Sequence, residues 1–213
     1  MKIGIIGAGF VGRAIAKLAI KAGHQVMLSN SRGPQTLFSL KPMIGCEIGT
    51  ATEAAIFGEI VVIAVPLTAL GQLPHTELSG KRVIDAVNYY PERDGQVAEL
   101  DQQVTTTSEY LAHFLPEANI TKAFNAIQMT DLENDGLPAG DSARRALPLA
   151  GEDADTKKVV AVLYDTFGFD VVDAGVLSEG WRFQRGMPSY CVRMTASELK
   201  TALAEARRPE PVL

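Results

Sequence analysis

Residues 1–32 read MKIGIIGAGFVGRAIAKLAIKAGHQVMLSNSR. Lys2–Ile6 is a short, mostly apolar run of the kind that makes a strand buried on both faces. Gly7-Ala8-Gly9-Phe10-Val11-Gly12 then fits the spacing G-x-G-x-x-G. From Phe10 to Ala22 apolar side chains (Val11, Ile15, Leu18, Ala19, Ala22) recur at helical intervals. Gly23 stops that helix, and Gln25–Ser29 reads as a second strand. A glycine triplet alone is a weak signal; between a strand and a helix, in a unit of about 30 residues, it is a strong one. Gly7 permits a tight turn, Gly9 lets a pyrophosphate approach the backbone, and Gly12 lets helix and strand pack closely. The free N–H groups at the start of the helix, around Ala8, Phe10 and Val11, face the phosphates. The stretch predicts a dinucleotide site.

The end of the second strand selects the dinucleotide. An NAD site usually carries Asp or Glu about 20 residues beyond the glycines, accepting from the ribose 2′-OH. Here that position falls in Ser29-Asn30-Ser31-Arg32, and no carboxylate occurs before Glu47. Residues 1–46 hold six basic side chains and no acidic one, a formal +6, against −11 for the remainder. A 2′-phosphate is best held by an arginine fork with hydroxyl and backbone donors. Ser31 and Arg32 can supply these, with Ser29 and Asn30 as further donors, so NADP(H) is expected rather than NAD(H).

The rest of the chain bounds the class. Its 213 residues are 46% hydrophobic, enough for one ordinary domain with a full core. A net charge of −5 argues against a nucleic-acid partner. No apolar run reaches the length of a membrane span. Cys46 and Cys191 lie far apart without metal-ligand spacing, which suits reduced thiols in the cytoplasm and no metal site.

Alternation of strands and helices continues without a linker. Cys46–Ile48 reads as a short edge strand, Glu59–Val65 and Arg82–Val87 as buried strands, and Asn119–Phe124 as a sixth. Pro66 sits where a helix can begin, and Ser108 is expected to cap a helix over Glu109–Leu115. Residues 126–145 look like a loop or lid insertion. Ala146–Ala150, Asp155–Phe167 and Phe169–Asp173 make a last strand–helix–strand unit, and Thr195–Ala206 a closing helix. The pattern predicts an α/β fold with a doubly wound, mostly parallel sheet: one domain over 1–206, including a short C-terminal helical extension, then a tail at 207–213. Ligands in such sheets bind beyond the carboxyl ends of the strands. That rule adds Ala64, Val65 and Pro66, then Val87 and Asn88, then Asn125 and Ala126, near the second ribose and nicotinamide. Asn88 could fix a ribose or carboxamide, or simply form the turn before Pro91, and Asn125 is similar.

Acid–base residues are scarce. His24 falls at the end of the sheet away from the ligand, His75 in a loop and His113 on a surface helix. Lys122, two residues before the ligand end of its strand, is expected to snorkel rather than to be buried with a depressed pKa, the alternative. No general acid stands out, so no catalytic residue is assigned; direct hydride transfer between two rings would need none.

As a set, IGIIGAGFVGRAIA, SNSR, VVIAVP, VIDAVN with a downstream RDG, TKAFNAI, LAGEDADTKKVVAVL and GFDVVDAGVL resemble the F420-dependent NADP reductase family over nearly the whole length. The resemblance implies a Rossmann domain with NADP held by Gly7–Gly12 and Asn30–Arg32. It places the nicotinamide near Ala64–Pro66 and Asn125–Ala126, and implies hydride transfer to a stacked F420 or flavin (FMN or FAD) ring. Similar domains feed NADPH electrons to a flavin in six-transmembrane ferric and cupric reductases. The match is weaker over Ser178–Tyr190. There Trp181, with Arg182, Arg185 and Tyr190, could wall an acceptor site or pack the C-terminal helix onto the sheet. A small imine or carbonyl substrate, and a non-catalytic NADPH sensor, are the alternatives; a small-molecule electron acceptor and a homodimer are the expected partners.

Overall fold

In the computed structural model, which describes residues 1–208, the apolar runs become eight strands: β1 (Lys2–Ile6), β2 (Gln25–Ser29), β3 (Glu47–Gly49), β4 (Ile60–Ile63), β5 (Arg82–Asp85), β6 (Asn119–Lys122), β7 (Ala146–Gly151) and β8 (Asp170–Asp173). They lie in one sheet in the order β3-β2-β1-β4-β5-β6-β7-β8. All neighbours pair parallel except β6 with β7, where Thr121 faces Gly151 and Lys122 faces Ala150. The strand order reverses between β1 and β4, on either side of the first strand. That is the switch point at which such sheets open a crevice.

The longer helices are α1 (Phe10–Lys21), α2 (Ala51–Phe57), α3 (Thr107–Phe114), α4 (Met129–Asn134), α5 (Ala154–Phe167) and α6 (Ala196–Glu205). β1 and β4 are buried on both faces, as Ile3, Ile5, Ile60 and Val62 pack into one core and Ile6, Val61 and Ile63 into the other. Capping boxes start three helices: Thr50 with Glu53, Thr106 with Glu109 and Thr195 with Glu198. Each satisfies two N–H groups that the first turn leaves free.

Several expectations are corrected. The edge strand is shifted by one residue, to Glu47–Gly49, and Pro66 precedes a 3₁₀ segment, Leu67–Gln72, rather than an α-helix. Thr106, not Ser108, caps α3; Ser108 is fully buried and its hydroxyl donates to Asp85. Residues 126–145 are no lid. They carry α4, which buries Leu132 and packs on α1, with Lys17 and Glu133 paired at 2.9 Å. Arg145 anchors the segment from inside, fully buried, with Nη1 2.9 Å from both Asp131 and Asp135. Acidic residues here are partners of a buried cation, which composition alone does not reveal. Of the expected tail, residues 209–213 lie outside the described residues; Arg208 lies over the Trp181 ring at 5.2 Å. No helix among the described residues is long and apolar enough to cross a membrane.

Candidate functional site

The three motif glycines differ in why they are glycine. Gly7 has φ +118°, and a Cβ there would sit 2.2 Å from the Ala64 carbonyl oxygen. A Cβ at Gly12 would fall 1.9 Å from the Gly7 carbonyl oxygen. Both positions are dictated by the packing of strand, turn and helix. Gly9 is different: its φ of −75° and ψ of −170° suit any residue, and a Cβ would meet nothing within 4 Å. Nothing inside the chain demands glycine there, so the space over it is left for something outside the chain.

Around that turn the first turn of α1 has no side-chain cap and no acidic residue. Arg13 Nε donates to the Ala8 carbonyl at 2.7 Å and Gly7 N–H donates to the Ser29 carbonyl at 3.0 Å, which fixes the loop from both sides. The result is an uncapped positive helix end with a rigid approach, suited to an anion.

A cleft opens on each side of β1. The first, about 340 Å³, is lined by Ile6, Gly7, Asn30, Ser31, Thr50 and Val65, among others. Ser29 is fully buried and its hydroxyl donates to the Ile5 carbonyl, so the later residues of the turn are the ones that face this cleft. Asn30 shapes the turn, accepting from Arg32 N–H at 3.1 Å and donating to Thr36 at 2.9 Å. The exposed Arg32 guanidinium makes no hydrogen bond or ion pair among the described residues. Pro66 is exposed, and Ala64 and Val65 are half-buried against the glycine turn.

The second cleft, about 410 Å³, is lined by Phe10, Val11, Asn88, Tyr90, Asn125, Ile127, Met129, Tyr190 and Cys191, with Gln128 and Thr130. Phe10 stands 74% exposed at its mouth, beside the glycine turn. Its floor is an interlocked pair of amides. Asn88 Nδ2 donates to the Asn125 carbonyl at 2.9 Å, and Asn125 Nδ2 donates to Asn88 Oδ1 at 3.2 Å and the Phe183 carbonyl at 3.0 Å. With both Nδ2 protons committed to oxygens, Asn125 Oδ1 is left buried without a partner. A buried acceptor without a partner is a costly rarity, and a ligand N–H removes the cost. The carboxamide of a nicotinamide is such a donor, so the residues present fit a dinucleotide at both ends of the turn.

The floor is held from below by a buried ion pair, one half of which, Asp85, sequence reading missed. Asp85, fully buried at the end of β5, accepts from Val87 N–H at 2.8 Å and from Ser108. Lys122 does not snorkel. It is fully buried, with Nζ 3.4 Å from Asp85 and 3.1 Å from the Val87 carbonyl. Burial pushes its ammonium below the ordinary lysine range, with the Asp85 carboxylate opposing that shift. Both backbone groups of Val87 are thereby committed, and the strand end that presents Asn88 is fixed. Ala126 is likewise buried, its carbonyl accepting from Cys191 N–H at 3.1 Å. Beside it Phe124 adopts φ +62°, rare for a bulky residue, and Tyr164 holds it there. The Tyr164 hydroxyl accepts from Phe124 N–H at 2.8 Å and donates to the Pro148 carbonyl at 3.0 Å.

The segment after β8 divides its aromatic residues between two places. Trp181 packs with Met187 and Ala206, its ring under Arg182 at 4.6 Å, away from the cleft. Tyr190 and Arg185 instead reach Tyr90 at the cleft wall. The cavity lined by His75, Phe114, Pro116 and Glu117 lies near the amino ends of β5 and β6, opposite the glycine turn. No group of three or more His, Cys, Asp or Glu side chains suited to a metal occurs among the described residues.

The sheet order, the glycine turn and the crevice at the switch point are those of the Rossmann class. Residues 2–89 match the family NADP oxidoreductase, coenzyme F420-dependent. Over 200 residues it is 29% identical to Metalloreductase STEAP3 of Rattus norvegicus, covering 90% of this chain and 38% of the rat protein. The chain thus spans well under half the length of that relative. Among solved structures it resembles hypothetical protein SMa0349 of Sinorhizobium meliloti, with a TM-score of 0.77 and 28% identity over 92% of this chain and 95% of that one. It also resembles a "putative f420 dependent nadp-reductase" of Arthrobacter sp. fb24, with a TM-score of 0.69 and 26% identity, covering 83% and 85% of the two chains.

Proposed function

We propose that this protein is an NADPH-dependent reductase that passes a hydride to a planar ring acceptor of the flavin or deazaflavin type. The observation that carries the reading is the pair of clefts flanking the glycine turn. Asn30 and Ser31 line the first on the side we assign to the adenosine, with the exposed Arg32 next in sequence; the second, which we assign to the nicotinamide, has aromatic walls and an amide floor. NADPH, when bound, supplies the hydride from its nicotinamide ring.

The chain's own residues do the rest. Arg32 and Ser31 hold the 2′-phosphate, the N–H groups following Gly9 hold the pyrophosphate, and Asn125 Oδ1 accepts from the carboxamide and fixes which face of the ring looks into the second cleft. Phe10, Ile127 and Met129 exclude water above it. Orientation of this kind can contribute about 7–11 kcal/mol to a two-ring reaction. The Arthrobacter and rat relatives both carry reductase names, which supports a reductase here. The test is reduction of F420 and of FMN with NADPH deuterated at one face of C4. Transfer of deuterium from one face only is expected. Tight NADPH binding with no turnover of either ring would refute the reading.

A further inference from the structure

The hydroxyls of Tyr90 and Tyr190 meet at the wall of the second cleft, from positions 100 residues apart. Two hydroxyls in contact share one hydrogen bond, so the O–H of the accepting partner stays uncommitted. Neither oxygen has another nitrogen or oxygen partner among the described residues. A partly buried O–H without an oxygen or nitrogen acceptor, in a cleft that Phe10, Ile127 and Met129 also line, is completed by an acceptor atom on a ligand.

The surroundings hold the pair rigid and leave it no other task. The guanidinium groups of Arg93 and Arg185 lie over the Tyr90 ring at 4.9 and 5.1 Å. Arg185 is tied to Glu92 by bonds of 2.6 and 3.0 Å, and Arg93 to Asp94 and the Asn88 carbonyl. Asp94 in turn accepts from Tyr90 N–H at 3.0 Å. Both cations have spent donors on carboxylates, so they hold the Tyr90 ring from its faces and give no hydrogen bond to either hydroxyl. Behind Tyr190 stands the Cys191 thiol, whose sulfur is a weak acceptor for the Tyr190 hydroxyl and so a poor substitute for a ligand oxygen or nitrogen, with Arg145 and Asp131 acting on the thiol in opposite senses. Burial keeps the Tyr190 hydroxyl protonated well above the ordinary tyrosine range, and a protonated hydroxyl is what a donor requires.

We propose that the Tyr90–Tyr190 pair is the proton donor to the hydride acceptor, and that the acceptor is a planar ring with a conjugated carbonyl or imine, of quinone or flavin type. The inference rests on the reductase reading above. The hydride brings two electrons and one hydrogen to one end of the conjugated system. The tyrosine O–H bond breaks as its proton passes to the oxygen or nitrogen at the other end, giving the neutral dihydro ring. The phenolate regains a proton from water through the second hydroxyl.

Menadione and FMN are the quinone and flavin probes. Binding is read first, in protein saturated with NADP⁺, where no hydride is present. Tyr90→Phe and Tyr190→Phe should each bind the preferred probe about tenfold more weakly, while NADP⁺ affinity stays within about twofold of wild type. With NADPH, kcat should fall by about 10²–10³ in each variant. Wild-type turnover should be flat between about pH 6 and 8, whereas the variants should lose about tenfold in rate per pH unit as hydronium replaces the tyrosine. Variants that bind the probe and turn it over within about threefold of wild type overturn the proposal and leave the reductase reading intact. A parallel loss of NADP⁺ affinity marks the pair as structural and overturns it too. Wild-type protein that reduces F420 but neither probe overturns this proposal alone; wild-type protein that binds NADPH yet reduces neither probe nor F420 overturns both.

Discussion

Replacing Gly9 by valine separates what the fold needs from what a ligand needs. The backbone at residue 9 is extended, at φ −75° and ψ −170°, a region in which valine is comfortable, and the space where its Cβ would go is open. The only cost to the apoprotein is a poor residue at the N-cap of α1, about 1 kcal/mol or less. Gly12→Ala is the contrasting change. Its Cβ would lie 1.9 Å from the Gly7 carbonyl oxygen, so strand and helix must part, at a cost of about 1–3 kcal/mol or more. For binding the order reverses in character. Gly9→Val puts a branched side chain into the pyrophosphate path, and a loss of at least about 100-fold, or about 2.7 kcal/mol, is expected from a fold that is otherwise intact. Urea unfolding gives the first quantity and titration of NADPH fluorescence the second. Gly9→Val protein with wild-type stability and wild-type NADPH affinity would refute the placement of the pyrophosphate. Protein that unfolds would refute the reading of the open space.

Arg32→Ala should weaken NADPH by at least about tenfold, or about 1.4 kcal/mol, and leave NADH nearly unchanged; equal losses would remove the 2′-phosphate from this turn. Lys122→Met leaves Asp85 buried and alone and should cost about 3–5 kcal/mol in urea unfolding, most of which the double change Asp85→Asn/Lys122→Met should restore. Because Lys122 titrates below its ordinary value of 10.5 in the folded state, the unfolded chain binds more protons in the window beneath 10.5. Wild-type stability relative to the double variant should therefore rise with pH from neutrality toward about 10.5, and a falling difference would contradict the sign. Tyr164→Phe strands the Phe124 N–H and should cost about 1–3 kcal/mol in the same assay, with weaker NADPH binding through the displaced Asn125; a neutral change would mean that Phe124 holds its own bend.

The sheet and the glycine turn were legible because each rests on a local pattern. Apolar runs of strand length gave β1, β4 and β5, and the glycine spacing gave the turn before α1; the missing carboxylate after Ser29 supports the 2′-phosphate proposal. The second cleft was only half legible. Asn88 and Asn125 could be nominated from their places at strand ends, but their mutual hydrogen bonds, and the lone Asn125 Oδ1, arise from bringing β5 and β6 side by side. Tyr90 meeting Tyr190 has no local signal at all, since the two approach only when the segment after β8 returns to the crevice. Lys122 next to Asp85 misled for a related reason: a charged residue near a strand end snorkels unless the adjacent strand supplies a buried partner. Phe124 at positive φ defeats any propensity rule, as the Tyr164 hydroxyl that holds it comes from a distant helix.

β7 runs antiparallel to β6, and the chain's last third comes back over the crevice that its first twelve residues open. Phe10 and Val11 face Tyr190 and Cys191 across one space, with Asn88 and Asn125 between them. Whatever occupies that space is a cross-link between the two ends of the polypeptide as much as a substrate. Its binding energy is then shared by the whole domain as RT ln(1 + [L]/Kd), about 2.7 kcal/mol at a hundredfold excess over Kd. Amide protons of residues 184–194 should accordingly slow their exchange in step with those at the start of α1 as ligand is added, so that the carboxyl-terminal segment reports on occupancy at the amino-terminal turn.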